Sequence, residues 1–291
     1  MLHEIRNAFL SVTVSEKGAE LQSILGADGT EYLWQGDPAY WCDRALNIFP
    51  YVARLTDDQY YMDGKLYHMA IHGIAPYRRF EAVSNEGDRL VMALASDEET
   101  RAAYPRDFVL RVIYTLQERT LQVTYEVENR DDRPMRFGLG GHPGLFVPLA
   151  KGKAFEDYRL RFGQPCRPER VGTTPDCYLN GRYEPFSLEE DRILRLRHEL
   201  FDDDAIILKG MAREVTLETD GDHHAVTVAF PQMDYLGLWH QPKTDAPYIC
   251  IEPWCSLPST QDQIAVFEQQ KDLLSLEPHA TYRNQWWMTI A

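Results

Sequence analysis

The chain reads as all-β: one large antiparallel β-sandwich with few short helices, spanning residues 1–291 as a single domain. Three observations predict this. Apolar residues recur with period two along most of the chain, the pattern of strands with one buried and one wet face. The segments are evenly spread, with no internal repeat, low-complexity tract or linker. Helical signals are scarce.

Taken in order, Leu10, Val12 and Val14 share a strand face until Gly18 breaks the run. Leu90, Met92 and Leu94 mark another strand. Leu110, Val112, Tyr114 and Leu116 are followed by a turn at Glu118-Arg119. Leu121, Val123, Tyr125 and Val127 then alternate with Gln122, Thr124, Glu126 and Glu128, completing a hairpin. Residues 135–139 predict a strand leading into Gly140-Gly141-His142-Pro143-Gly144. Further strands are predicted over 158–162, 193–196, 215–218, 226–230, 236–239, 248–252 and 286–290, with Asp220-Gly221-Asp222 as a turn. Ser96 and Glu99 read as a capping box for one short helix, closed by Pro105. A second short helix is predicted over 261–268. Residues 164–183, rich in Pro, Gly and Thr, read as an excursion over the sandwich rim.

Composition narrows the partners. Thirty basic against forty-five acidic residues give a net charge of −15. Nucleic acid and anionic membranes need basic patches, so neither is expected as a partner. A small neutral molecule fits better, and monomer and homodimer are both compatible with the sequence. The five cysteines are odd in number and form no Cys-x-x-Cys pair. Free thiols in a reducing cytoplasm are expected, not disulfides or a zinc knuckle. No secretory signal or membrane-spanning stretch is apparent.

Four places carry candidate chemistry. His142 follows two glycines and precedes Pro143, so a turn is expected to hold it at a strand end. His72 precedes Gly73. Arg54 follows the apolar run 47–53. Glu252 ends the apolar strand 248–252, where a half-buried carboxylate needs partners or a raised pKa, and Trp254 follows as a stacking surface. Singly, each also fits a structural role: Glu252 as a salt-bridge partner, Arg54 as a surface cation, the histidines as satisfied polar groups. Grouped near glycine and proline corners, they point to a site.

The ordered set Glu31-Tyr32-Leu33-Trp34, Phe49-Pro50 with Arg54, Asp63-Gly64-Lys65, His72-Gly73, Gly141-His142-Pro143, the run 200–205 ending Asp204-Ala205, and Ile251-Glu252-Pro253-Trp254 resembles the aldose 1-epimerase (galactose mutarotase) family, in particular its LacX-like branch. The resemblance covers nearly the whole chain. It implies a galactose mutarotase-like supersandwich with a cleft on one sheet, and interconversion of the α and β anomers of a free hexose. It implies Glu252 as general base on the anomeric hydroxyl and His142 as general acid on the ring oxygen. His72, Arg54 and Asp204 would bind the sugar. No cofactor and no metal are expected. Two departures bear on the pocket wall: Ala53 replaces a usual glycine before the arginine, and Ile74-Ala75-Pro76 follows His72-Gly73 where an aromatic and a basic residue are common.

Such a pair needs an ionised glutamate and a protonated histidine, and mutual attraction is expected to favour those states. Alternatives are a hexose-6-phosphate 1-epimerase, with Arg44, Arg78 or Arg79 pairing the phosphate, and a non-catalytic carbohydrate-binding protein. A metal enzyme using His68, His72, His142 and Glu252 is disfavoured, because His68 and His72 stand about 13 Å apart along a strand. His223-His224 reads as solvated, and Trp34, Trp41, Trp239, Trp286 and Trp287 as packing residues with one at the cleft.

Overall fold

The hairpin at the centre of the larger sheet forms where alternation predicts it. Phe108–Gln117 and Thr120–Asn129 pair along their full length, turning at Glu118 with a left-handed φ of 51°. Leu121, Val123, Tyr125 and Val127 are buried on one face. The structure, a computed structural model, describes residues 1–291. Around this hairpin stands a nine-stranded antiparallel sheet. Its order is Ile193–Arg195, Tyr158–Phe162, Glu214–Thr219, Val226–Ala229, Thr281–Ile290, Thr120–Asn129, Phe108–Gln117, Arg89–Ala95 and Glu81–Asn85.

A seven-stranded sheet packs against it. Its order is Leu179–Pro185, Glu169–Thr173, Ile206–Lys209, Tyr235–Trp239, Tyr248–Trp254, Gly140–Phe146 and Ala45–Ile48, again antiparallel. Ile249, Ile251, Leu236, Leu238 and Leu145 face inward, meeting Val123, Tyr125, Trp286 and Met288 in one 66-residue apolar cluster. A polar clasp crosses the layers: the Tyr125 hydroxyl lies 2.9 Å from Asn47 Oδ1 and 3.1 Å from the Gly140 carbonyl oxygen. A three-stranded sheet of Leu2–Arg6, Leu10–Ser15 and Leu21–Gly26 adds Ile5, Val12 and Ile24 to the same core. No helix is long and apolar enough to cross a membrane, and all five cysteines are free.

Local readings shift in five places. The helix Glu98–Ala103 is capped by Asp97, not Ser96. Asp97 Oδ1 accepts from the Thr100 N–H and Thr100 Oγ1 from the Asp97 N–H, while the Ser96 hydroxyl donates to Asp107, just before the next strand. No α-helix forms over 261–268: Ala265–Val266 pairs in parallel with Gln59–Met62, and only the 3₁₀ turn Phe267–Gln269 reaches into the segment, the Phe267 ring stacked 3.9 Å from that of Tyr60. Aromatic packing there overrides the local preference. The segment 164–183 is largely an edge hairpin of the smaller sheet. Residues 135–139 give only Met135–Phe137, and a new strand starts at Gly140. His142 therefore sits in mid-strand, not at a turn: Gly140, Gly141, His142 and Pro143 all pair with Ala45–Ile48.

Candidate active site

Strand register brings the two central residues together. Gly140 lies opposite Trp254 and Gly144 opposite Cys250. The same register sets His142 opposite Glu252, on the sheet face turned away from the core. The Cys255 N–H donates to the Leu139 carbonyl, so by alternation His142 and Glu252 form a non-hydrogen-bonded pair, the kind whose side chains stand closer. Pro143 and Pro253 flank them and remove one ladder donor each. His142 Nε2 lies 3.2 Å from Glu252 Oε2, and both residues are buried. The contact is at ion-pair distance without hydrogen-bond alignment, and Glu252 Oε2 and His142 Nδ1 have no hydrogen-bond partner.

Glycines shape the floor around this pair. A Cβ on Gly140 or Gly237 would come within 2.7 Å or 2.8 Å of the Trp254 ring. Both strands beside Trp254 thus let its indole lie flat on the sheet. Trp254 lines the cavity but is almost wholly covered, so it forms wall more than stacking surface.

His72 enters from a loop. Its φ is 63°, and Gly73 continues left-handed at 85°, where a Cβ would strike the Phe49 carbonyl oxygen. The Ala53 N–H donates to His72 Nδ1 at 3.3 Å, which leaves the ring proton on Nε2. The His72 and His142 rings meet edge to face, 5.2 Å apart.

The walls enclose a cavity of about 420 Å³. His142, Glu252, His72, Arg54, Asp204 and Trp254 all line it. Asp204 precedes the strand Ile206–Lys209 and is half-buried, whereas Asp202 and Asp203 are exposed and outside the cavity. Several lining residues were not singled out from sequence as site residues: Trp41, Tyr77, Cys177, Trp239 and Gln241. Trp41 lies 4.8 Å from the His142 ring at an interplanar angle of 30°, and Trp239 meets it edge-on at 5.9 Å. Only Trp239 carried a readable signal, sharing the outer strand face with Gly237. Trp34 instead stacks on Tyr248 as packing, and His68 is exposed on the hairpin of Gln59–Met62 and Lys65–His68, outside the cavity.

Burial governs the charges. It pushes the Glu252 carboxyl well above the usual carboxylate range, with Asp204 adding to the effect. It pushes the His142 imidazole well below its ordinary value, with His72 adding. His72 is lowered to about 3 by burial and by Arg54. Asp204 is raised, chiefly by burial. The sequence expectation of an ionised Glu252 beside a protonated His142 is thus reversed: desolvation outweighs mutual attraction, and the uncharged pair is favoured. Either form holds one proton between the two groups.

Arg54 is the only lysine or arginine lining the cavity, alongside Asp43, Asp204 and Glu252. Arg44 binds the Gln22 carbonyl and Gln35, Arg78 pairs with Asp97 and Glu99, and Arg79 pairs with Glu16. None of the three lines the cavity.

Comparisons with known proteins bear on the family and the fold. Residues 1–288 match the sequence profile of the family described as aldose 1-epimerase. The chromosomal protein LacX of Lactococcus lactis subsp. lactis is 30% identical over all of this chain and 99% of its own length. A galactose mutarotase related enzyme from Lactobacillus acidophilus superposes with a TM-score of 0.94 at 32% identity, covering 100% of this chain and 97% of that one. A galactose mutarotase-like protein from Lactobacillus casei gives a TM-score of 0.93 at 29% identity, with both chains fully covered. A match along nearly the whole sequence, with relatives that align end to end, makes this chain a member of the aldose 1-epimerase family.

Proposed function

We propose that residues 1–291 form a single-domain aldose 1-epimerase of the cytoplasm that interconverts the α and β anomers of a free, neutral hexose. The observation that carries this reading is the His142–Glu252 pair, 3.2 Å apart on the floor of a sugar-sized cavity. The shared core cluster supports one domain, and the five free cysteines fit a reducing compartment.

The anomeric hydroxyl donates to Glu252 Oε2, the buried oxygen with no partner of its own. That hydrogen bond favours the carboxylate and shifts the shared proton to His142. Glu252 then takes the O1 proton as the C1–O5 bond breaks, and His142 delivers its proton to O5. The aldehyde rotates about C1–C2. Reclosure from the other face returns the O5 proton to His142 and the Glu252 proton to O1, restoring both groups. The Trp41 face beside His142 stabilises the imidazolium while it exists. His72 Nε2–H, Arg54 and Asp204 hydrogen-bond the sugar. With one cation among three carboxylates, the lining suits a neutral sugar better than a phosphate ester.

The test is anomer exchange followed by NMR in freshly dissolved α-glucose and α-galactose, with wild type, Glu252→Gln and His142→Asn, each checked for folding. Wild type should exceed the spontaneous rate, and each variant should lose at least about 100-fold, the range of a lost general acid or base. Exchange of hexose 6-phosphates but not free hexoses would sink the neutral-sugar assignment. Full activity in Glu252→Gln would mean that the base is another group.

A further inference from the structure

A third ligand-type side chain converges on the acid–base pair. Cys250 Sγ, a Glu252 carboxylate oxygen and a His142 ring nitrogen lie within 4.8 Å of one another, and all three residues are buried. The geometry follows from the sheet: residues 250 and 252 share the outer face of Tyr248–Trp254, and His142 faces them from Gly140–Phe146. A second observation points to a ligand here. Glu252 Oε2 is buried with no hydrogen-bond partner, an acceptor that the folded chain leaves open. The 3.2 Å between it and His142 Nε2 is close to the edge of a tetrahedron whose centre lies about 2.0–2.1 Å from nitrogen and oxygen ligands, as in zinc sites.

We infer that His142, Cys250 and Glu252 form a binding site for a borderline-soft divalent cation of the Zn²⁺ type, and that occupancy of this site blocks the sugar reaction. The binding half stands by itself; the blocking half rests on the function proposed above. An imidazole, thiolate and carboxylate set selects Zn²⁺ over Mg²⁺ and Ca²⁺, which prefer all-oxygen shells. One thiolate and one carboxylate balance the two charges of the ion, so the filled site is neutral. On binding, the Cys250 thiol proton and the proton shared by Glu252 and His142 pass to the buffer, and a water from the cavity takes the fourth position. The ion thereby holds both the base and the acid as ligands. Cys250 has no part in the proposed proton transfers and does not line the cavity. The cluster of exposed Asp28 and His223 with part-buried His224 is less suited, because both ring nitrogens of His224 already meet Asp222 and Asp28.

The probe is Co²⁺, titrated into untagged, chelator-stripped protein and read by absorbance. Wild type and His223→Ala should bind one ion with a thiolate-to-cobalt charge-transfer band in the near ultraviolet. Cys250→Ser should lack the band. Added Zn²⁺ should displace Co²⁺ and inhibit anomer exchange reversibly, with an inhibition constant at least tenfold weaker in Cys250→Ser. No band in wild type, or equal Zn²⁺ inhibition in Cys250→Ser, overturns the proposal, as does activation by Zn²⁺. Should Cys250→Ser fail to fold, zinc-edge X-ray absorption of the wild-type complex decides: one sulfur at about 2.3 Å supports the site, and no sulfur sinks it. If wild type exchanges no anomers, the cobalt band still decides the site, and the function fails separately.

Discussion

His72 holds its ring in the cavity through a backbone conformation that few side chains tolerate, φ 63°, with the Ala53 N–H fixed on its Nδ1. Its imidazole, lowered to about 3, is uncharged at any working pH. It therefore acts as a neutral Nε2–H donor and not as a titrating acid. His72→Asn keeps a residue that accepts left-handed backbone and removes the ring. It should lower kcat/KM roughly 10- to 100-fold, as losing a buried hydrogen bond worth about 1–3 kcal/mol implies. The pH profile should keep its shape; loss of one limb in the variant would show that His72 itself moves a proton. The sequence made His72, His142, Glu252, Arg54, Asp204 and Trp254 visible through short motifs, and the fold brings all six to one cavity. Trp41 and Gln241 stayed hidden because loops deliver them, and no local periodicity encodes where a loop end lands. The charge state of the pair was hidden too, since it depends on how completely the sheet and loops exclude water from Glu252 and His142.

At the scale of strands, two glycines and two prolines make the floor. Gly140 and Gly237 leave room for the Trp254 indole, and Pro143 and Pro253 flank the acid–base pair in the ladder. Gly237→Ala would put its Cβ 2.8 Å and 3.0 Å from indole carbons and 3.2 Å from the Glu252 Cβ. The indole has little freedom to retreat, because Gly140 holds it from the other side. The substitution should cost about 1–3 kcal/mol of stability, as overpacking does. It should also lower kcat more than the stability loss explains, by tilting Glu252 away from His142. Urea denaturation with parallel rate measurements tests this; a variant as stable and active as wild type would show that Trp254 does not set the floor. Strand existence was legible here from alternation, and 158–162 and 236–239 come within a residue of their observed limits. At 138–144 the glycines do mark close approaches, but the turn expected to hold His142 at a strand end is absent, because glycine marks a close approach as readily as a turn. Here the close approaches are to side chains distant in sequence: Ser256 at Gly138, Trp254 at Gly140, Trp286 at Gly141, and Trp34 and Trp41 at Gly144.

For the whole molecule, the question is how the outlying three-stranded sheet is held to the main sandwich. Its apolar face joins the common core through Ile5, Val12 and Ile24. Its far end is held by a histidine whose place just after a hairpin turn suggested that it was solvated. His224 bridges Asp222, in the turn between Glu214–Thr219 and Val226–Ala229, to Asp28, just beyond Leu21–Gly26. The contacts are 2.6 Å to Asp222 and 3.1 Å to Asp28. Partial burial pulls the imidazole pKa down, but the two carboxylates outweigh it and raise the value above 6.5. Both carboxylates are lowered, by hydrogen bonds from backbone N–H groups and from His224. The signs then fix the pH window. A raised histidine contributes stability that is full below its unfolded value and lost as pH rises through the folded one. The lowered carboxylates contribute above their unfolded values and lose it as pH falls through the folded ones. The clasp is therefore strongest between about pH 4 and 6.5, bracketed by the unperturbed carboxylate and imidazole values. His224→Gln should melt below wild type in that window, with the gap shrinking as pH rises past 7, where the uncharged imidazole no longer holds two carboxylates. Added salt should narrow the gap as well, since Asp28 and, in part, Asp222 and His224 remain open to solvent. Melting curves of both proteins at several pH values test it. A gap that is constant, or that widens in alkali, would mean that packing against Tyr32, whose ring lies 6.2 Å from that of His224, holds the sheet in place of charge.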